Sequence, residues 1–178
     1  MNQNDSIVLA GGCFWCVEAI YSNIQGVVKV EPGYTGGIIS NPTYREVCSG
    51  KTGHAEVVRI EFNPNQIDLS ELFAVFFATH DPTTLNRQGG DVGTQYRSAI
   101  FPSSLLQRNL AEKAIAIASE SGEWSNKIVT AIEELKEFYL AENYHHNYYA
   151  ENEEAPYCSS VIAPKLQKFK KKFQNLLK

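Results

Sequence analysis

The sequence predicts an α/β (α+β) protein with a single domain over residues 1–178, in which helices cover a mixed β-sheet in a two-layer, ferredoxin-like arrangement. Short apolar strands alternate with amphipathic helices along the chain, which is typical of a sheet covered by helices. The predicted strand content is modest. The 178 residues, 43% hydrophobic and 20% charged, suit one compact domain with a sizeable core.

The first predicted elements are a strand and a helix joined by two glycines. "SIVLA" (6–10) is typical of a short buried strand, and Gly11 and Gly12 follow it. Apolar residues then recur at helical spacing, and Gly26 is placed to act as the C-cap of this helix. The recurring residues are Val17, Ile20, Tyr21 and Ile24.

The following segments predict two more strands and a second long helix. "GVVKVEPGYTGG" (26–37) predicts a strand that leads into a glycine-rich loop, and residues 43–50 predict a helical turn or a short helix. "HAEVVRIEF" (54–62) alternates with a period of two, which predicts a strand. Asp68 and Glu71 form a predicted capping box before a helix. Its apolar residues are Leu69, Leu72, Phe73, Phe76 and Phe77.

The second half of the chain begins with a long polar loop at 80–95, of a length that is often functional. Strands are predicted at 96–101 and 127–135, and a mixed helix-and-loop segment at 138–152. The helix predicted at 103–122 is expected to turn Leu106, Leu110, Ala114 and Ile117 inward. After Pro164 an amphipathic helix with a lysine-rich outer face carries Leu166, Phe169, Phe173 and Leu176.

Charge and hydropathy exclude several classes of function. The net charge is −4 and no broad basic stretch occurs, which argues against nucleic acid as the main ligand. The first residues have no positive n-region, and no apolar run approaches the length that crosses a bilayer. We therefore expect a cytoplasmic protein with no membrane partner, in which four cysteines are catalytic or metal-binding rather than paired in structural disulfides.

Cys13 is the strongest candidate nucleophile. The strand–Gly–Gly–helix order places it at or near a helix N-terminus, where partial positive charge and free N–H groups stabilise a thiolate. Gly11 and Gly12 allow another molecule to approach the backbone closely. The alternative is an inert, packed cysteine at a strand–helix corner.

Cys16 lies three residues further along. In a regular helix, residues at this spacing have Cβ atoms about 5–6 Å apart, whereas a relaxed disulfide requires about 3.5–4.5 Å. A Cys13–Cys16 bridge would therefore need a loosened first turn. A packed helix cysteine and a member of a dithiol pair both remain open for Cys16.

Glu56 is a candidate acid. Side chains alternate along a strand, so Glu56 shares one face with Val58, Ile60 and Phe62. Among apolar neighbours the ionised form of a carboxyl group is disfavoured, which raises its pKa and leaves a neutral proton donor at pH 7. A hydrated strand edge with an ordinary carboxylate is the alternative.

Other polar residues are weaker candidates taken one at a time. Tyr44 and Tyr96 are possible hydroxyl donors, and Asp91 in the glycine-rich loop is placed to hold a polar group of a ligand. Cys48 suggests packing alone. Cys158 lies in a Pro-flanked segment, where a mobile loop would let its thiol swing toward a reactive partner or leave it buried.

Long motifs spread from residue 7 to about residue 169 resemble the A-type peptide methionine sulfoxide reductases. They are "GGCFWCVEA", "GYTGG", "TGHAEVVRIEF", "NRQGGDVGTQYRSAIF", "FYLAENYHHNYY" and "PYCSSVIAPKL". The resemblance implies that Cys13 attacks the sulfur of methionine sulfoxide, and that Glu56, Tyr44 and Tyr96 bind or protonate its oxygen. Phe14 and Trp15 match the aromatic wall for the S-methyl group. Asp91 matches a substrate-side residue, and Glu142 and His145 match a motif near the pocket.

The resemblance also implies how the enzyme is recycled. A sulfenic acid on Cys13 condenses with a second thiol, and thioredoxin reduces the resulting disulfide. Cys158 is the preferred resolving residue and Cys16 the alternative. No metal or cofactor is implied, and the expected substrates are the S epimer of free methionine sulfoxide and of oxidised proteins, reduced by a monomer. Asn143 departs from the family pattern, since many relatives have Asp there.

Three competing interpretations deserve a test. A thioredoxin-like dithiol oxidoreductase would use Cys13 and Cys16 and would not need Glu56. A zinc-stabilised binding module would use all four cysteines, although a second close ligand pair is missing from the sequence. An aromatic cage for methylated ammonium groups would use Trp15 and the tyrosines as walls.

Overall fold

The computed structural model describes residues 3–178, and its helices and strands alternate as the sequence predicts. In chain order they are β1 (Asp5–Gly11), α1 (Phe14–Tyr21), β2 (Val27–Thr35), α2 (Tyr44–Cys48), β3 (Ala55–Phe62), α3 (Leu69–Thr79), β4 (Arg87–Gln88), β5 (Asp91–Val92), β6 (Ser98–Phe101), α4 (Leu105–Glu120), β7 (Ala131–Ile132), β8 (Tyr139–Leu140), α5 (Tyr148–Glu151) and α6 (Ala163–Lys172). Short 3₁₀ turns lie at Thr94–Tyr96, Asn143–His145 and Gln174–Leu176, and a π-helical turn at Cys158–Ile162. Among the described residues, no helix has the length and apolar character needed to cross a membrane.

Six strands form one mixed sheet, in the order β7-β6-β1-β3-β2-β8. The central strands β6, β1, β3 and β2 are antiparallel to their neighbours and are connected as two βαβ units by α1 and α3. This is the ferredoxin-like pattern, and the predicted fold class is confirmed. β7 adds in parallel to β6, which makes the sheet mixed, and β8 pairs with β2 at the other edge.

The two faces of the sheet are covered differently. On one face, apolar strand residues such as Leu9, Val58 and Ile60 pack against the helices in the larger core cluster. On the opposite face, a smaller cluster around Val57 and Phe101 is covered by Leu135 and Phe138. Because side chains alternate along β3, Glu56 lies on the helix-covered face, as the sequence predicts.

The helix starts confirm one predicted capping box and add another. The N–H of Asp68 donates to the Glu71 carboxylate at 3.0 Å before α3. Thr43 and Glu46 form a reciprocal box at the start of α2, with distances of 2.7 and 3.2 Å. Such boxes satisfy N–H groups that the first helical turn leaves unpaired.

The end of α1 differs from the prediction. The helix ends at Tyr21 with Ser22 as its C-cap, so Gly26 is not the capping residue. Ile24 lies beyond the helix and is still fully buried. Gly26 instead turns the chain toward β2 with a φ of +89°, and a Cβ atom there would lie 2.8 Å from Ile67.

The inward face of α4 is also rotated relative to the prediction. Leu106 and Ile117 are 68% and 60% exposed, whereas Gln107, Ala111 and Ala118 are buried. The reason is a hydrogen bond. The Gln107 side-chain amide donates to the backbone carbonyl of Ser6 at 2.8 Å, which turns this side of the helix toward β1. Leu110 and Ala114 pack partly buried against the core, as predicted.

Several boundaries in the second half are shorter than predicted. The strand expected at 127–135 is reduced to β7, and the loop at 80–95 contains the small hairpin β4–β5. The strand expected at 96–101 begins at Ser98, because Tyr96 belongs to the preceding 3₁₀ turn. The segment at 138–152 contains the expected helix and loop but begins with the strand β8, which was not predicted. The amphipathic helix after Pro164 is confirmed as α6, although it ends at Lys172 and leaves Phe173 and Leu176 beyond it.

Candidate active site

The candidate site is built around the start of α1. Cys13 is the N-cap residue, and its carbonyl accepts the N–H of Cys16 at 3.1 Å. Gly12 turns the chain between β1 and α1 with a φ of +93°, and a Cβ atom there would lie 2.6 Å from the Gln88 side chain. The two glycines therefore let β1 deliver Cys13 to the helix start in a position that is only 8% exposed.

The expectation of a stabilised thiolate at Cys13 is wrong. Burial raises the pKa of its thiol well above the ordinary value, and hydrogen bonding to Cys16 and the nearby Glu56 act in the same direction. The backbone N–H of Trp15, in the first turn of α1, lowers the pKa of Cys13, but burial outweighs this effect. Hydrogen bonding between the two thiols in turn lowers the pKa of Cys16. At neutral pH Cys13 is therefore a thiol.

Glu56 confirms the expectation of a buried, neutral carboxyl group. It is 1% exposed, and burial raises its pKa to about 8. The N–H of Phe14 donates to its Oε2 at 3.1 Å and offsets part of this rise. Glu56 therefore holds a proton at pH 7 and lies against the first residue of α1, next to Cys13.

Tyr44 and Tyr96 approach the same carboxyl group from different elements. Burial raises the pKa of each phenol, and the charge that Glu56 would carry raises both further. Tyr44 opens α2, whereas Tyr96 lies in the 3₁₀ turn and packs in the apolar cluster that contains Cys13. Both hydroxyl groups are therefore protonated donors near Glu56.

Glu142 supports this side of the site through two hydrogen bonds. It accepts the N–H of Tyr44 at 2.9 Å and the hydroxyl of Tyr34 at 3.0 Å. Burial alone would raise the pKa of Glu142, but these donors hold it below its ordinary value. Glu142 thus acts on the position of Tyr44. Tyr34, which is fully buried, is a residue that the sequence analysis missed.

An aromatic wall stands beside Cys13. The Trp15 indole N–H donates to Nδ1 of His145 at 2.9 Å, and Phe14 lies 4.9 Å from the His145 ring, centre to centre. Burial lowers the pKa of His145 to about 4, so the ring is neutral and its proton is on Nε2. Tyr148 stacks on Trp15 at 3.8 Å with an interplanar angle of 8°. The sequence analysis missed Tyr148.

Asp91 is held at the site by another residue that sequence reasoning missed. The hydroxyl of Tyr157 donates to Asp91 at 2.7 Å and lies 3.8 Å from the sulfur of Cys16. The Tyr157 ring meets Trp15 edge-on at 6.0 Å. The position of Tyr157 directly before Cys158 is the feature of the sequence that could have indicated its place in the site.

Three of the four cysteines come together. Cys13, Cys16 and Cys158 belong to one buried cluster, and all are free thiols. The mobile loop expected around Cys158 is wrong: the residue opens the π-helical turn before α6 and is fully buried. Packing alone is also wrong for Cys48, which is exposed at the end of α2. The described residues include no group of three or more His, Cys, Asp or Glu arranged to hold a metal ion.

Comparisons with known proteins agree with this geometry. The sequence profile described as peptide methionine sulfoxide reductase matches residues 5–177. The chain is 54% identical over 169 residues to the "Peptide methionine sulfoxide reductase MsrA" of Trichodesmium erythraeum, covering 95% of this chain and 96% of that protein. It is 51% identical over 174 residues to the protein of the same name from Deinococcus radiodurans, covering 98% and 84%.

Solved structures show the same similarity. Reduced Mxr1 from Saccharomyces cerevisiae aligns with a TM-score of 0.78 and 40% identity, over 88% of this chain and 90% of that one. Mxr1 in complex with Trx2 aligns with a TM-score of 0.54 and 30% identity, over 82% and 85%.

Proposed function

The chain belongs to the peptide methionine sulfoxide reductase family and is an oxidoreductase, and from this premise we propose that it reduces methionine-S-sulfoxide, free or in proteins, through Cys13. The chain acts as a single catalytic domain over residues 1–178. One observation carries the proposal: a buried carboxyl group that keeps its proton at pH 7 lies against the start of the helix that Cys13 caps. A thiol that attacks a sulfoxide needs such a proton source, because the oxygen has to leave as water.

The proposed first half-reaction balances with the groups present. The Cys13 sulfur attacks the substrate sulfur while Glu56 and the Cys13 thiol supply the two protons that convert the sulfoxide oxygen to water. A sulfur–sulfur bond forms and the sulfur–oxygen bond breaks. Water then adds to the Cys13 sulfur, which releases methionine, leaves Cys13 as a sulfenic acid and returns a proton to Glu56. Cys13 is oxidised by two electrons and the substrate is reduced by two.

The raised pKa of Cys13 fits this sequence of steps. A thiol brings its own proton, and that proton is needed at the oxygen. The phenols of Tyr44 and Tyr96 stay protonated and are proposed to donate hydrogen bonds to the oxygen as charge develops on it.

The aromatic wall is proposed to orient the substrate. Phe14 and Trp15 directly follow Cys13 and their rings lie 6.5 Å apart, centre to centre, and apolar rings of this kind suit the S-methyl group. Asp91 and the pair Glu142 and His145 would contact or support the remainder of the substrate side. The sulfur of a sulfoxide is a stereocentre, so a site that fixes both its methyl group and its oxygen toward Cys13 accepts only one epimer. The family resemblance indicates that this is the S epimer.

The sulfenic acid is proposed to condense with Cys158 and release water, leaving a disulfide. Cys158 packs in the same cluster as Cys13 from a separate helical segment, so the pair is free of the spacing limit that a regular first turn sets for Cys13 and Cys16. Cys16, whose pKa is lowered, is the alternative. Thioredoxin is the proposed reductant, supported by the related Mxr1–Trx2 complex. Thiols supply all the electrons, so no cofactor is required.

The test uses dithiothreitol and the two epimers of a blocked methionine sulfoxide. Wild-type protein is expected to consume the S epimer alone, and Cys13→Ser to consume neither. Equal consumption of both epimers by wild type, or none of either, would refute the proposal. Glu56→Ala is expected to lose far more activity than Glu56→Gln, whose amide still donates a hydrogen bond. Full activity of Glu56→Ala would favour the thioredoxin-like interpretation.

The resolving thiol is tested separately. Cys158→Ser is expected to reduce one sulfoxide per enzyme and then to stop when thioredoxin is the only reductant. Continued thioredoxin-driven turnover in Cys158→Ser, together with its loss in Cys16→Ser, would assign resolution to Cys16.

A further inference from the structure

Glu18 is a buried titratable group with no part in the proposed chemical steps. Glu18 lies on α1, one turn after Trp15, and is 3% exposed. Burial raises its pKa to about 7, and the charge of Glu151 raises it further, so its ionised form is costly in this place. Glu153 and Lys170 are the other charged residues that line the small cavity beside it.

The Glu18 carboxyl has specific partners. Glu18 lines one small cavity together with Asn147, Tyr149 and Ala150, and backbone hydrogen bonding from Asn147 and Tyr148 counteracts the rise in its pKa. Asn147 is in the left-handed conformation, with a φ of +54°, and precedes the four-residue helix α5. A left-handed non-glycine residue persists where its surroundings fix it, and Glu18 supplies the acceptor at that point.

The backbone segment next to Glu18 also bears the two residues that contact Trp15. Tyr148 stacks on the Trp15 indole at 3.8 Å, and His145, three residues earlier, accepts the indole N–H at 2.9 Å. The segment from 143 to 151 therefore contacts α1 at three places: the Trp15 N–H, the face of the Trp15 ring and the Glu18 carboxyl.

We propose that Glu18 is a positioning residue, which fixes Tyr148 through its backbone and thereby holds Trp15 in the orientation that binds the substrate's methyl group. This inference rests on the proposed function. Glu18 does not touch the reacting atoms, and Cys13 and Glu56 are held by other contacts. Its loss therefore weakens substrate binding rather than the chemical step.

The test compares two replacements of similar size. Glu18→Met fills the same space without an acceptor, and replacing a buried charge by an apolar side chain of similar volume is often tolerated. Glu18→Gln keeps an acceptor oxygen. Glu18→Met is expected to raise KM for the blocked S-sulfoxide about tenfold, equivalent to about 1.4 kcal/mol, with kcat within a factor of two. Glu18→Gln is expected to recover most of this loss, and Glu153→Gln serves as the matched carboxylate control with an unchanged KM.

A double-mutant cycle with Tyr148→Ala separates positioning from general support of the fold. If Glu18 acts through Tyr148, adding Glu18→Met to Tyr148→Ala raises KM no further. The proposal would be overturned if the effects of Glu18→Met and Tyr148→Ala on KM multiplied in the double variant. It would also be overturned if Glu18→Met lowered kcat at constant KM, or if Glu18→Gln were as impaired as Glu18→Met.

A third readout needs no turnover. The chain has two tryptophans, so Trp124→Phe leaves the fluorescence of Trp15 alone. In that background, Glu18→Met is expected to make Trp15 more accessible to acrylamide quenching, and Glu18→Gln much less so. Unchanged quenching in Glu18→Met would refute the positioning of Trp15 by Glu18. Absence of sulfoxide reduction by wild type would instead refute the proposed function and leave this measurement valid.

Discussion

Replacing Glu56 by Gln is expected to make the protein more stable at pH 7 while making it a poorer catalyst. The folded protein raises the pKa of this carboxyl from its ordinary 4.5 to about 8. At pH 7 the unfolded chain has lost this proton and the folded chain has kept it. Folding at pH 7 must therefore protonate a carboxyl group whose pKa in the unfolded chain lies about 2.5 units below the pH. At 1.36 kcal/mol per unit this costs about 3 kcal/mol.

The sign of the pH dependence follows from the raised pKa. Below about pH 4.5 both states are protonated and Glu56 costs nothing. Stability is lost progressively as the pH rises, and the full loss of about 5 kcal/mol is reached once the pH passes about 8. Glutamine carries no such cost, and its amide oxygen can still accept the N–H of Phe14. The free energy of unfolding of Glu56→Gln relative to wild type should thus increase by about 3 kcal/mol between pH 4 and pH 7.

Urea unfolding of both proteins at pH 4, 5.5, 7 and 8.5 measures this difference. Glu18 titrates near pH 7 in both proteins and cancels in the comparison. Glu61→Gln, on the opposite face of the same strand and partly exposed, is the matched control and should show no comparable gain. A difference between Glu56→Gln and wild type that is the same at pH 4 and pH 7 would show that Glu56 is not held neutral, and the proposed proton source would be lost.

Three further predictions test the surroundings of the site. In urea unfolding, Gly12→Ala should lower the free energy of unfolding by more than Gly122→Ala. Both glycines have a positive φ, which costs an alanine about 1–2 kcal/mol, but only at Gly12 would the added Cβ meet a side chain. Equal losses would mean that Gln88 moves aside freely. Tyr157→Phe should cost about 1 kcal/mol of stability while keeping its ring against Trp15, and Tyr157→Ala should cost more; equal costs would assign the contribution of Tyr157 to its hydroxyl alone. Cys48→Ser should leave thioredoxin-driven turnover unchanged, because Cys48 lies outside the cluster of three thiols; a loss of turnover would place it in the thiol relay.

The sequence predicts the elements whose causes are local. Alternation along β3 predicts the inward face of Glu56, and the Asp68–Glu71 box predicts the start of α3, because both depend on residues a few positions apart. The strand–Gly–Gly–helix order likewise predicts Cys13 at a helix start. These features need no knowledge of distant contacts.

The features that sequence reasoning missed depend on long-range contacts. The rotation of α4 follows from the bond between Gln107 and Ser6, which are about a hundred residues apart in the chain. The raised pKa of Cys13 follows from burial under a segment that includes Cys158, which outweighs the local effect of the helix terminus. Tyr148 and Tyr157 become visible as site residues only when their segments fold back onto Trp15.

Oxidation of the Cys13 sulfur to a sulfenic acid as the sulfoxide is reduced is tested most directly by intact-protein and peptide mass spectrometry. A Cys16→Ser, Cys158→Ser variant has no partner thiol in the cluster, so one equivalent of blocked methionine-S-sulfoxide should leave the protein one oxygen atom heavier. We expect this oxygen to be found as a sulfenic acid on the peptide containing Cys13, with an equal amount of the blocked methionine formed. Methionine formed without oxygen on Cys13, or oxygen found on another residue, would contradict this expectation.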